Sequence, residues 1–300
     1  MRNIINLSGL LALILLAAVQ TDAALQDVQT VFVIVLENHD WSEIKGSSSA
    51  PFINDTLLPL ASHAEQYFNP PHLHPSLPNY LYLEAGSNFG IHHNASPHGK
   101  QLTAPHLVAL LDQAGISWTS YHEGICGCNC PLQTVKNYTP LTNPMVYFTD
   151  VTETNDVDSA HCIAHMRPLG ELVGNLQSNT VARYNFITPS LCHAMHTPCG
   201  PLNDRIKQGD DWLQEVVPPI LNSQAYQDNG ALFITWDEGV PGDGPIGMIV
   251  LSPLAKGNGY SNTIHYTHSS TLRTLQTIFG VTPLLGDAAV ATDLGDLFNP

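Results

Sequence analysis

Residues 231–239 read Ala-Leu-Phe-Ile-Thr-Trp-Asp-Glu-Gly. The apolar run suits a strand in a protein interior, yet it closes on two adjacent carboxylates, Asp237 and Glu238, and a glycine. A second run behaves the same way: Val-Phe-Val-Ile-Val-Leu at 31–36 leads into Glu37 and Asn38. Within a strand, neighbouring side chains point to opposite faces, so two neighbours share one task only where the strand has ended. In open α/β sheets that edge is where ligands bind. Four oxygen-bearing side chains are therefore expected to converge at one rim of a sheet. Buried carboxylates are costly unless a cation or protons accompany them. An oxygen-rich set suits a divalent magnesium, calcium, manganese or zinc ion. Either pair taken alone also fits a solvated strand-end turn.

Further short apolar runs read as interior strands at 116–121, 184–188 and 248–252. Helical patterns lie between them at 107–115, ending on Gly115, at 210–221, and at 269–280, ending on Gly280. Strands alternating with helices predict an α/β fold with a mostly parallel sheet and helices on both faces. Residues 242–247 match G-x-G-x-x-G, but an apolar strand-like run follows where a dinucleotide site needs a helix.

Composition narrows the function classes. The 300 residues carry 26 acidic and 10 basic side chains, a formal net charge of −16, with 15 histidines. Such a balance argues against nucleic acid and against adsorption to an anionic membrane. The first 23 residues read as a secretory signal: Arg2, an apolar stretch at 10–19, and Ala23 as the small residue at the cleavage point. An uncleaved N-terminal anchor is the alternative. The mature chain, 24–300, reads as one catalytic domain that is secreted or periplasmic, with no stable membrane insertion and no indication of oligomeric state. Six cysteines, at 126, 128, 130, 162, 192 and 199, then point to disulfides, with Cys192–Cys199 an attractive local loop. The C-x-C spacing of 126–130 differs from the C-x-x-C of zinc sites. Residues 122–170, loop-rich with four cysteines, read as a disulfide-pinned cap.

A third segment bears on the paired carboxylates: HPSLPNYLYLEAG at 74–86. Ser76 before Leu-Pro is a good N-cap for a helix. A serine there also sits where backbone amides gather an anion. A metal beside its hydroxyl would make it a usable nucleophile. Metal, nucleophile and amide-rich anion site together describe phosphoryl transfer.

These segments, with ENH at 37–39, YHEG at 121–124, FITP at 186–189, GDDWL at 209–213, FITWDEG at 233–239 and HSSTLRTLQTIFG at 268–280, occur in an order that resembles the secreted phosphoesterases. That family contains bacterial and fungal acid phosphatases and phospholipases C, and the chain looks most like the short bacterial acid phosphatases. The resemblance implies an alkaline-phosphatase-like α/β/α sandwich. It implies Glu37, Asn38, Ser76, Asp237 and Glu238 as metal ligands, with Ser76 also the nucleophile. It places His196 and His268 near the reacting phosphate, where either could stabilise charge or protonate the leaving group. Asn79 could bond a phosphoryl oxygen, and His74 could play a supporting part. The implied partner is a small phosphate ester or a phospholipid head group, and some relatives act on phosphoinositide monophosphates. A phospholipase C-type diesterase and a catalytically silent binding protein of the same fold are the rival readings. One departure is plain: relatives read Asn-Asp-Met-His-Asp where this chain has His193-Ala194-Met195-His196-Thr197, so both acidic partners of His196 are missing.

Overall fold

A computed structural model describes residues 22–240 and 242–300. The signal segment expected at 1–23 lies almost wholly outside the described residues.

Among the described residues ten strands form: β1 (Val31–Leu36), β2 (Ser62–Ala64), β3 (Tyr67–Phe68), β4 (Trp118–His122), β5 (Met166–Pro168), β6 (Tyr184–Thr188), β7 (Ala231–Trp236), β8 (Met248–Leu251), β9 (Ser261–Asn262) and β10 (Tyr266–Thr267). Eight make one sheet in the order β5-β4-β6-β1-β7-β8-β2-β9, and β3 pairs with β10 in a small parallel ladder. Within the large sheet only β8 runs against its neighbours. Every residue of β1, β6 and β7 is buried, as a parallel sheet covered on both faces requires. Each fully buried aliphatic side chain there contributes about 1.5–3 kcal/mol.

Helices Ser76–Ala85, Leu107–Gln113 and His268–Phe279 pack on one another as one layer; Glu171–Gln177, Arg205–Leu221 and Gln224–Gln227 pack as another. The result is a three-layer α/β/α sandwich. Asp204 caps the Arg205–Leu221 helix through Lys207 N, which starts it five residues earlier than the 210–221 pattern indicates. The helix after β10 ends on Gly280 at φ +65°, a left-handed position that glycine adopts without strain.

Three disulfides join Cys126–Cys128, Cys130–Cys162 and Cys192–Cys199. Residues 122–170 are not irregular throughout: they hold the short helix Ala160–His165 and supply β5, the edge strand beside β4. After the 242–247 glycines comes β8, a strand, so the dinucleotide match is incidental. Among the described residues no helix is long and apolar enough to cross a membrane.

Candidate active site

Register brings the two acidic strand ends together. Strands β1 and β7 are adjacent and parallel, with Leu36 opposite Trp236, so Glu37 and Asn38 lie opposite Asp237 and Glu238. Asp237 N still donates to Leu36 O at 2.9 Å. There the backbone turns: Asn38 has φ +50°. Asn38 N donates to Asp237 Oδ1 at 2.9 Å, and Asn38 Nδ2 to Glu238 Oε1 at 3.0 Å. Gly239 lets the chain pass Asp40, since a Cβ there would stand 2.3 Å from Asp40 Oδ1.

Ser76 arrives from the helix that begins with it. It is the first helical residue; Pro75, not Ser76, is the cap. Its hydroxyl makes no capping bond and instead donates to Glu37 Oε2 at 3.0 Å. Tyr80, one turn along, donates to Glu37 Oε1 at 2.7 Å. The five expected side chains thus share one buried cluster. The expected amide cradle is smaller than the helix start implies, because Leu77 N donates to Asn94 Oδ1 at 3.1 Å and residue 78 is proline.

Three carboxylates meet with no cationic lysine or arginine bonded to them among the described residues. Burial pushes Glu37 up to about 7, against the pull of the Tyr80 and Ser76 hydroxyls. Burial first, then the charges of Glu37 and Glu238, pushes Asp237 far above the usual carboxylate range. Burial also raises Glu238, although His74 opposes it. Asp237 Oδ2 is buried without a hydrogen-bond partner. A buried carboxylate oxygen without a partner, among acids whose pKa values are raised, suits a divalent cation, and the residues present fit one.

The histidines divide. His74 sits between Glu238 Oε2 at 2.5 Å and Asp243 Oδ1 at 3.0 Å, a supporting position as expected. His268 is fully buried beneath the cluster: Nε2–H donates to Asp237 O at 2.6 Å, and Nδ1 lies 3.2 Å from Tyr67 OH. Burial pushes it down to about 4. With both nitrogens engaged and the ring neutral, His268 orients Asp237 and is unsuited to protonating a leaving group. His196 is exposed on the loop 190–199, with Nδ1 3.0 Å from Thr197 Oγ1. Thr197 takes the place of the absent acid. Partial burial, then Arg205, lowers His196 below its ordinary value. Asn79 Nδ2 is spent on Leu73 O at 2.9 Å and Pro75 O at 3.3 Å, so its amide braces the turn before Ser76 and is not free for a phosphoryl oxygen.

That loop is held against the site. Glu37 N donates to Ala194 O at 2.8 Å, His39 Nε2 lies 3.2 Å from Met195 O, and Gln208 Nε2 donates to Cys192 O at 2.8 Å. The Cys192–Cys199 disulfide closes it. Beside it opens a cleft of about 470 Å³, lined among others by Glu123, His193, Trp212 and Glu215. His193 Nδ1 lies 2.9 Å from Glu123. Tyr80, bonded to Glu37, and Asp243, bonded to His74, are site residues that sequence reasoning did not single out.

A family model described as the phosphoesterase family matches residues 60–282. The chain belongs to the phosphoesterase family. It is accordingly an enzyme that hydrolyses phosphoric esters. It is 29% identical to a phosphatidylinositol-3-phosphatase of Mycobacterium tuberculosis, over 92% of this chain and 85% of that one. It is 26% identical to an acid phosphatase of Aspergillus niger, over 71% of this chain and 50% of that one, so it spans about half the fungal protein's length. Among solved structures, this phosphoesterase resembles a lipoteichoic acid synthase of Listeria monocytogenes (TM-score 0.60, 11% identity, 88% of this chain and 76% of that one). It also resembles a protein of the alkaline phosphatase superfamily from Vibrio parahaemolyticus (TM-score 0.59, 10% identity, 86% and 68%). At these identities the likeness speaks for the fold alone, and that fold is alkaline-phosphatase-like.

Proposed function

We propose that this chain is a secreted, metal-dependent phosphomonoesterase that works through a phosphoserine intermediate and accepts phosphoinositide monophosphates. The observation that carries this reading is the convergence of Ser76, Glu37, Asn38, Asp237 and Glu238, from three segments of the chain, around one orphaned carboxylate oxygen. Three disulfides and the N-terminal signal pattern support secretion. One hydrophobic core running from Ala24 to Phe298 supports treating 24–300 as a single catalytic domain.

Those five residues would hold the cation. When bound, a divalent ion supplies charge that favours the ionised Ser76 hydroxyl and offsets the charge of the phosphoryl group. The chain does the rest. Glu37 and Tyr80 fix the direction of the Ser76 hydroxyl. As Ser76 Oγ attacks phosphorus its proton passes to Glu37 Oε2, which already accepts its hydrogen bond, the bond to the alcohol breaks, and the alcohol leaves with a proton from His196. Water then gives a proton to the neutral His196 and attacks phosphorus, the bond to Ser76 Oγ breaks, Oγ takes back the proton from Glu37, and inorganic phosphate departs. Because His196 sits below its ordinary pKa, this proton donation favours acidic medium.

The test is a phosphate-release assay on p-nitrophenyl phosphate and p-nitrophenylphosphorylcholine, before and after EDTA and with divalent ions restored. Ser76→Ala should lower kcat by about 10³-fold or more while the protein still binds its metal. Near-wild-type turnover by that variant would overturn the mechanism. Preference for the choline diester would move the assignment to a phospholipase C.

A further inference from the structure

A second cluster of ligating side chains lies at the opposite edge of the sheet, where β4 begins. The short helix Ala160–His165 presents His161 and His165, spaced four apart and so on one face. The last turn of Leu107–Gln113 presents Asp112. One ligand atom from each residue lies within 4.8 Å of the other two. His161 Nε2 is 3.3 Å from Asp112 Oδ2, and the two imidazole centroids are 4.6 Å apart.

Trp118 orients two of the three. Its indole N–H donates to Asp112 Oδ1 at 2.8 Å, which leaves Oδ2 facing His161. Its backbone carbonyl accepts from His165 Nδ1 at 2.8 Å, and its ring stacks on His165 at 3.9 Å and 10°. Donation from Nδ1 to a carbonyl puts the lone pair of the neutral ring on Nε2. That is the arrangement that metal-binding histidines use to fix their tautomer. The helix itself is anchored, since Cys162 between the two histidines is disulfide-bonded to Cys130.

We propose that Asp112, His161 and His165 form a second metal site, separate from the phosphoester site, that takes zinc or a similar borderline divalent ion. Two imidazoles and one carboxylate are the ligands that zinc accepts in three-residue sites, with water completing the shell. The active-site set is all oxygen, so the two sites differ in hardness. The ion would tie the Cys162 helix to the Leu107–Gln113 helix.

The test uses the full mature protein, stripped with EDTA, and compares wild type with His161→Gln, His165→Gln and Asp112→Asn. Calorimetric titration with zinc should show one equivalent more in wild type than in any variant, while all four hydrolyse p-nitrophenyl phosphate equally. Copper(II) bound to wild type should show nitrogen splitting from two imidazoles, reduced in both histidine variants. A hundredfold excess of zinc over its Kd should raise wild-type Tm by roughly 5 °C more than that of the variants. Asp112 is exposed, so its variant keeps the test decisive if a histidine variant misfolds. Equal zinc stoichiometry and equal Tm gain in wild type and Asp112→Asn would overturn the proposal.

Discussion

At the scale of single residues, Glu37 shows why a pattern of carboxylates in the sequence is not enough to define a site. Its two oxygens are each matched to one hydroxyl, Ser76 on one side and Tyr80 on the other. Burial and the nearby charge of Glu37 drive the Tyr80 phenol far above its ordinary pKa, so it stays a donor at every working pH. Its hydrogen bond favours ionised Glu37. In Tyr80→Phe, Glu37 should therefore hold its proton more tightly. If ionised Glu37 is required, the acidic limb of kcat/KM against pH should move up by about one unit, with a stability loss of about 1–3 kcal/mol. An unmoved limb would show that Glu37 titration does not govern activity. Glu37, Asn38, Asp237 and Glu238 stand out in the sequence because interior strands ending in polar pairs are conspicuous, whereas Ser76 stands out only as a serine at a helix start. Tyr80 does not stand out: an aromatic four residues after Ser76 reads as the buried face of a helix, and only its distance from Glu37 reveals its task. The histidines were legible as a motif but not as directions. Whether His268 faces the phosphate or the Asp237 carbonyl depends on packing that no spacing encodes.

At the scale of elements, the central strands read correctly because both of their faces are buried and periodicity is strong. The runs at 31–36, 184–188 and 231–236 match β1, β6 and β7 to the residue. The edges did not read: β5 is three residues ending in proline and β9 is two, too short to carry a pattern. What joins elements was also hidden. His106, just before the Leu107–Gln113 helix, lies between Glu84 Oε1 at 2.8 Å and Asp150 Oδ2 at 3.0 Å, stacked on Phe148 at 3.7 Å. Burial opposes its charge, but the bonds to Asp150 and Glu84 outweigh burial and push it up to about 9. The pair ties the Ser76 helix to its neighbour far from the catalytic rim. His106→Ala leaves Glu84 buried beside a void and should cost about 3–5 kcal/mol. Chemical denaturation at pH 6 measures it, and a loss under 1 kcal/mol would mean that the Val108 amide, 2.9 Å from Glu84, suffices.

At the scale of the whole molecule, the acid cluster links stability to the metal binding proposed for it. Glu37, raised to about 7, and the raised Asp237 and Glu238 mean that the metal-free fold binds more protons than the unfolded chain above the ordinary carboxylate values. Their contribution is fully present below about pH 4 and is lost as pH rises, that of Glu37 as pH passes through about 7. His106 acts with the same sign at higher pH: its contribution is present below its ordinary 6.5 and lost as pH rises through about 9. His268, lowered to about 4, and His122, lowered to about 3, act oppositely, since both must stay neutral to remain buried. Their contribution is present above 6.5 and lost as pH falls through 4. The raw stability curve of the metal-free protein therefore mixes opposing terms. The difference made by a cation is simpler, because His106 and His122 bond to residues outside the cluster and His268, lowered to about 4, is neutral at both pH 5 and pH 8. At pH 5 a cation must displace protons from the cluster; at pH 8 Glu37 has already ionised and fewer protons stand in the way. The gain in Tm on adding magnesium or calcium, hard ions that avoid the imidazole cluster at Asp112, should be larger at pH 8 than at pH 5 by roughly 5 °C or more. Calorimetry of EDTA-stripped protein at both pH values checks this. Equal gains would mean that the carboxylates meet their cation without a proton to displace, and the raised pKa of Glu37 would then have no part in metal loading.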